Sequence, residues 1–145
     1  MRSGRKISAL LVLALVFGAR AVSAQAPEQR YAKVAGLYVG STMVFQPNPF
    51  GGVGSGTWVA GTKWYLLAPD GKAHMGFKLP QAPGGDIRRF DFEAARRAAP
   101  QYAGTYDVAG KRVTIKLGIE TAVAELGPAG ELMIKGTPYR PSKLK

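Results

Sequence analysis

The sequence predicts a mainly β protein: a single antiparallel β-barrel or sandwich of seven to eight short strands, with one short α-helix at about residues 91–99. Three observations predict it. Arg112-Val-Thr-Ile-Lys-Leu alternates, with Val113, Ile115 and Leu117 on one face and Thr114 and Lys116 on the other, the period of a half-buried antiparallel strand. Gly- and Pro-bearing turns punctuate the second half at intervals of roughly ten residues, the spacing of sandwiches and barrels. A single segment, Phe92 to Ala99, carries helical patterning, with Asp91 before it to cap the first amides and Pro100 after it as a stop.

In chain order, Arg2, Arg5 and Lys6 precede an apolar run from Ile7 to Ala19, and Val22-Ser23-Ala24 offers small residues for cleavage before Gln25. This is the layout of a secretory signal peptide over residues 1–24. The run is shorter than the roughly 20 residues that span a bilayer as a helix, and no later stretch reaches that length, so no membrane span is expected after cleavage. The sequence therefore predicts export, to the periplasm or beyond, in a bacterial envelope. Cysteine is absent. Disulfides and a cysteine-linked lipid anchor are thereby excluded, and the fold must rest on packing.

Residues 25–35 are polar and read as a flexible N-terminal arm. Gly36 to Phe45, rich in β-branched and aromatic residues, reads as a strand. Pro47, Pro49 and five glycines between Gly51 and Gly61 argue for a long irregular loop over 46–62. Trp64-Tyr-Leu-Leu and His74 to Leu79 form a hairpin about the Pro69-Asp70-Gly71-Lys72 turn. Arg96 and Arg97 follow in the last turn of the helix, where cations suit its dipole. Gly104 to Val108, Arg112 to Leu117, Thr121 to Leu126, Glu131 to Lys135 and Pro138 to Arg140 complete one domain over residues 36–141, with a short C-terminal tail, 142–145.

Gly104-Thr-Tyr-Asp-Val-Ala-Gly-Lys-Arg-Val-Thr-Ile, Gly130-Glu-Leu-Met-Ile-Lys-Gly-Thr-Pro-Tyr-Arg and the Trp64 to Phe77 hairpin together resemble the strand-turn-strand pattern of lipocalin-like small β-barrel proteins exported by bacteria, over about residues 60–141. The Gly-x-Trp that marks the first strand of lipocalins has its spacing at Gly56-Thr57-Trp58, inside the expected loop. The resemblance implies a small barrel able to hold an apolar ligand and brings no catalytic residues with it.

Motifs for catalysis fail on spacing. Gly56-Thr-Trp-Val-Ala-Gly-Thr62-Lys63 reverses the Lys-Ser/Thr order of a phosphate loop and precedes a strand, and Gly52-Val-Gly54 lacks the third dinucleotide glycine at Thr57. His74 is the sole histidine; with no cysteine this excludes a multi-histidine or thiolate zinc site. No nucleophile elbow surrounds Ser55. Asp86, Asp91 and Glu93 cluster near the helix start, where Asp91 serves as the cap and negative charge suits the helix dipole; a hydrolase using two of these carboxylates is the one enzymatic alternative the sequence leaves open. No cofactor is expected.

Four of the twenty Lys and Arg lie in the leader, so sixteen face nine Asp and Glu afterwards. That excess attracts anionic envelope surfaces in general, and equally serves solubility. Nucleic acid is not an expected partner. Two functions lead, a non-catalytic protein binding a small apolar or amphipathic envelope molecule, or a structural or interaction protein docking on an anionic envelope surface or a protein partner; a hydrolase, the third class, needs polar groups converging in a cleft around His74 or Asp86. For the first, Phe50 and Trp58 in the Gly-rich loop, with Trp64 at its exit, are the expected ligand-binding residues, the loop serving as a flap over the barrel mouth. A ligand binder needs an apolar cavity; an interaction module shows a filled core and an exposed apolar or basic patch.

Overall fold

The computed structural model of the protein describes residues 27–144; the expected leader lies outside the described residues. Eight strands form a closed barrel in which each pairs antiparallel with the next and the last returns to the first. They are β1 (Gly36–Pro47), β2 (Gly56–Leu67), β3 (Lys72–Gly76), β4 (Ala103–Ala109), β5 (Arg112–Leu117), β6 (Thr121–Leu126), β7 (Leu132–Ile134) and β8 (Thr137–Ser142). The barrel alternative is thus realised over the sandwich.

Alternation places the core. Val113, Ile115 and Leu117 point inward from β5 while Lys116 is exposed and Thr114 half-buried, as its period requires. They meet Tyr38, Tyr65, Leu67, Met75, Tyr106, Leu132 and Tyr139 from the other strands. A small eight-stranded barrel has an interior just wide enough for side chains to fill, and here four tyrosines take much of that space. Their polar ends need partners. The Tyr38 hydroxyl donates to the Val34 carbonyl at 2.8 Å and the Tyr106 hydroxyl to that of Ala68 at 2.7 Å. Burial holds both phenols above their usual range.

The segment expected as a flexible arm forms a short helix, α1 (Pro27–Ala32), at one end of the barrel. Tyr31 packs edge-on against Tyr106, ring centres 5.0 Å apart, and Val34 is buried. Two apolar anchors decide the outcome against a polar composition.

A second core lies outside the barrel. Leu37, Trp64 and Leu66 face outward from β1 and β2 and are covered by Ala82, Ile87, Phe90 and Phe92 of the β3–β4 connection and by Leu144. That connection carries the expected helix, α2 (Phe92–Ala98), whose first turn is capped by the Asp91 carboxylate accepting from the Ala94 amide at 2.8 Å. Leu144 anchors the expected C-terminal tail. The connection also encloses His74, stacked on Trp64 at 5.8 Å with the Phe90 ring edge-on. Neither ring nitrogen has a hydrogen-bond partner. Burial lowers its pKa below the ordinary 6.5; the backbones of Ala95 and Met75 oppose this without reaching bonding geometry. His74 is thus a neutral packing residue at neutral pH.

The largest departure from expectation is the Gly-rich stretch. β1 and β2 continue in register to Pro47 opposite Gly56, so most of 46–62 is strand. Cross-strand pairing of Val44 with Val59 and Phe45 with Trp58 outweighs the backbone freedom of Gly56 and Gly61.

Candidate functional site

β1 pairs with β8 only over Leu37 to Val39, and β2 with β3 only over Trp64 to Leu67. If the β1–β8 register continued, Tyr139 would come opposite Gly40 and Pro138 opposite Ser41, and Pro138 has no amide proton to extend that ladder. From Ser41 and Thr62 onward the two strands therefore pair with each other alone and leave the barrel as a two-stranded ribbon.

Its side chains sort by the strand period. Met43, Phe45, Trp58 and Ala60 continue the outward face that begins with Leu37, Leu66, Val39 and Trp64; Val44 and Val59 take the other face. Phe45 and Trp58, directly opposite, form an edge-to-face pair at 5.4 Å. The tip is built of two turns: the Gly51 amide donates to the Asn48 carbonyl and the Ser55 amide to that of Gly52, while the Asn48 amide donates across to the Ser55 carbonyl. The Asn48 side-chain oxygen also accepts from the Phe50 amide at 3.1 Å. Gly54 sits at φ 82°, a conformation that glycine enters without strain. Phe50 and Val53 project from this ordered tip.

The expected site residues part company here. Phe50 is 98% exposed and Trp58 64% exposed, on the ribbon; Trp64 is 5% exposed, in the outer core, its indole N–H donating to the Lys78 carbonyl. Neither Phe50 nor Trp58 belongs to either core. The expected flap does not close over the barrel, because the ribbon carries both residues away from it.

The electrostatics of this end were missed in the sequence reading, although the signal is plain there: from Val34 to Thr62 no residue is charged. The ribbon has no ionic group, while its base is basic. Lys63 adjoins it on β2, Lys78 follows β3, Lys135 turns β7 into β8 and Arg140 stands opposite Val39. Among the described residues, Glu120 in the β5–β6 connection is the acid at this end. Lys63 Nζ lies 2.7 Å from its carboxylate and 5.0 Å from the centre of the Tyr65 ring, and the Tyr65 hydroxyl donates to the same oxygen at 2.6 Å. Burial would raise the Glu120 pKa, but the hydrogen bonds from Lys63 and Tyr65 outweigh it and hold the carboxyl below its usual range. The same arrangement pushes the Tyr65 phenol far above its ordinary value, burial leading and Glu120 adding. The other acids lie towards the α1 end or on the β3–β4 connection: Glu28 in α1, Asp70 in the β2–β3 turn, Asp107 in the second half of β4, Glu125 and Glu131 about the β6–β7 turn, and Asp86, Asp91 and Glu93 along the connection.

Elsewhere, a cleft of about 470 Å³ opens between the β2–β3 turn and the connection, walled by Ala68, Pro69, Ile87, Phe90 and Phe92 with Asp70 and Arg88 at its polar side. Among the described residues no group of three or more His, Asp or Glu is placed to hold a metal, and no helix is long and apolar enough to cross a membrane. No family model, curated protein or solved structure matches this chain.

Proposed function

We propose that this protein is an exported, non-catalytic interaction protein of the bacterial envelope that docks on an anionic surface through the ribbon end of its barrel. The carrying observation is the charge arrangement at that end: exposed apolar side chains rise from a collar of Lys78, Lys135 and Arg140, while the acid there is already neutralised by Lys63. The filled interior supports the same reading, since the apolar surface on offer is outside the barrel. The sequential eight-stranded barrel and the strand-turn-strand motifs support kinship with lipocalin-like exported proteins, here with side chains where a ligand chamber would be. Binding of the protein purified from its host to phosphatidylglycerol-containing and to purely phosphatidylcholine vesicles tests the reading. Preference for the anionic vesicles should weaken with salt and fall at least about tenfold in Lys78→Glu/Lys135→Glu/Arg140→Glu, since each basic group near such a surface contributes about 1 kcal/mol. Equal binding to both vesicle types, or none, refutes it.

A second reading, binding of a small amphipathic molecule, is supported by the cleft beside Phe90 and Phe92, whose volume falls in the ordinary range of ligand sites. Native mass spectrometry of the same preparation should then show an added mass that Phe90→Ala loses.

A further inference from the structure

We infer that the docking surface is a lipid bilayer and that the tip of the ribbon, Phe50 to Val53, enters its apolar layer. This rests on the anionic-surface reading above and specifies its target.

Four features of the ribbon carry the inference. The first is the absence of charge through the whole projection, from Val34 to Thr62, in a chain where one residue in five is charged. Moving such a segment into an apolar layer costs no desolvation of ions. The second is the distribution of apolar groups. They lie on the outer face as Met43, Phe45 and Trp58, on the inner face as Val44 and Val59, and at the tip as Phe50 and Val53. A protein groove takes one face of a strand pair; a non-directional apolar solvent accepts side chains all round.

The third feature sets the depth. Beyond Leu37–Val39 and Trp64–Leu67 both edges of the ribbon lack a neighbouring strand. Hydrocarbon offers no hydrogen bonds to the exposed amides and carbonyls of a strand edge, so the strands stay at the wet headgroup level. At the tip, the bonds among Asn48, Gly51, Gly52 and Ser55 meet part of that need internally. The tip is therefore the part suited to entry. Phe45 and Trp58, further back, then fall at the membrane–water interface, the level at which aromatic rings concentrate. The fourth feature is the basic collar of Lys78, Lys135 and Arg140 at the ribbon base, which complements anionic headgroups while the tip is immersed.

Trp58 is a built-in reporter, because Trp64 is buried among apolar neighbours. The experiment uses the full chain as purified from its host, with vesicles of phosphatidylglycerol and phosphatidylcholine, with and without bromine on the acyl chains. Binding should shift Trp58 emission to the blue, and the brominated chains should quench it; Trp58→Phe should bind but lose the quenching. Phe50→Ser/Val53→Ser should bind at least about tenfold more weakly with an unchanged circular dichroism spectrum, since neither side chain belongs to a core. Binding to anionic vesicles without quenching, and unaffected by the double variant, overturns insertion while leaving surface docking intact. Failure to bind any anionic surface removes both. Lipid-free self-association that depends on Phe50 and Val53 assigns the tip to a second copy of the chain and also overturns the inference.

Discussion

β1 and β2 each live in two environments. Their inner halves, Gly36 to Gly40 and Lys63 to Leu67, have strands on both sides, one face in the barrel core and the other under the β3–β4 connection. Their outer halves have the same register, the same partner and no third layer. The barrel half buries nearly every apolar side chain it owns; the ribbon half displays Met43, Phe45 and Trp58. Local pairing is thus sufficient to continue the strands, whereas burial depends on what packs over them.

Variants can break this contrast. The largest effect is expected in the barrel: Ile115→Asp places an unpaired charge in the core and should cost at least about 4 kcal/mol in urea unfolding, while neighbouring Lys116→Ala stays within about 0.5 kcal/mol. Equal effects would invalidate the inward–outward assignment of β5. Next is the junction of the two regions. Lys63→Met leaves the half-buried Glu120 carboxylate without its cation and should cost about 1–2 kcal/mol at pH 7. The Glu120 pKa is lowered in the folded protein, so its contribution is present above the ordinary carboxylate range and disappears as pH falls through the lowered value. The cost of Lys63→Met should shrink over the same range, and a constant cost would show that the ion pair is not its source.

His74 gives a smaller, pH-limited effect. Its folded pKa is below 6.5, so below that pH the unfolded ring binds a proton that the folded ring refuses. Stability then falls with pH from about 6.5 down to the lowered value. His74→Phe should remove that slope and leave the carboxylate slope at lower pH; thermal melts of both proteins between pH 7 and 5 would separate them. The smallest effect is expected at the tip, where Phe50→Ser should change stability by less than about 0.5 kcal/mol. A larger loss would mean that the tip packs on the protein after all.

Where side chains alternate against a single core, the sequence is readable: the β5 face, the Asp91 cap and the Pro69 to Lys72 turn follow from adjacent residues. Gly51 to Gly61 misleads because glycine content reports backbone freedom, whereas Phe45 opposite Trp58 and Val44 opposite Val59 are pairings between residues far along the chain. Closure into a barrel has the same origin, since alternation alone is shared with a sandwich. The outer core was hidden for another reason. Leu37 and Leu66 follow the period of their strands, but only the β3–β4 connection and Leu144 determine that their face is covered. Of the candidate site, Phe50 and Trp58 were visible as large residues in a Gly-rich setting. Their separation from Trp64 depends on where β2 leaves β3, which no local pattern encodes.

The closing seam of the barrel has a consequence for how the molecule folds. β8 meets β1 through Leu37–Ser142, Tyr38–Pro141 and Val39–Arg140, and Pro141 can donate no hydrogen bond. All other strand pairs join sequence neighbours, whereas this one brings together segments about a hundred residues apart, the contact with the greatest loop-closure cost. The seam is therefore the rung expected to form last. It also sets the beginning of β1 beside the end of β8, so the barrel could be rejoined there and cut at the Gly110 turn, moving the longest-range rung inside a covalent hairpin.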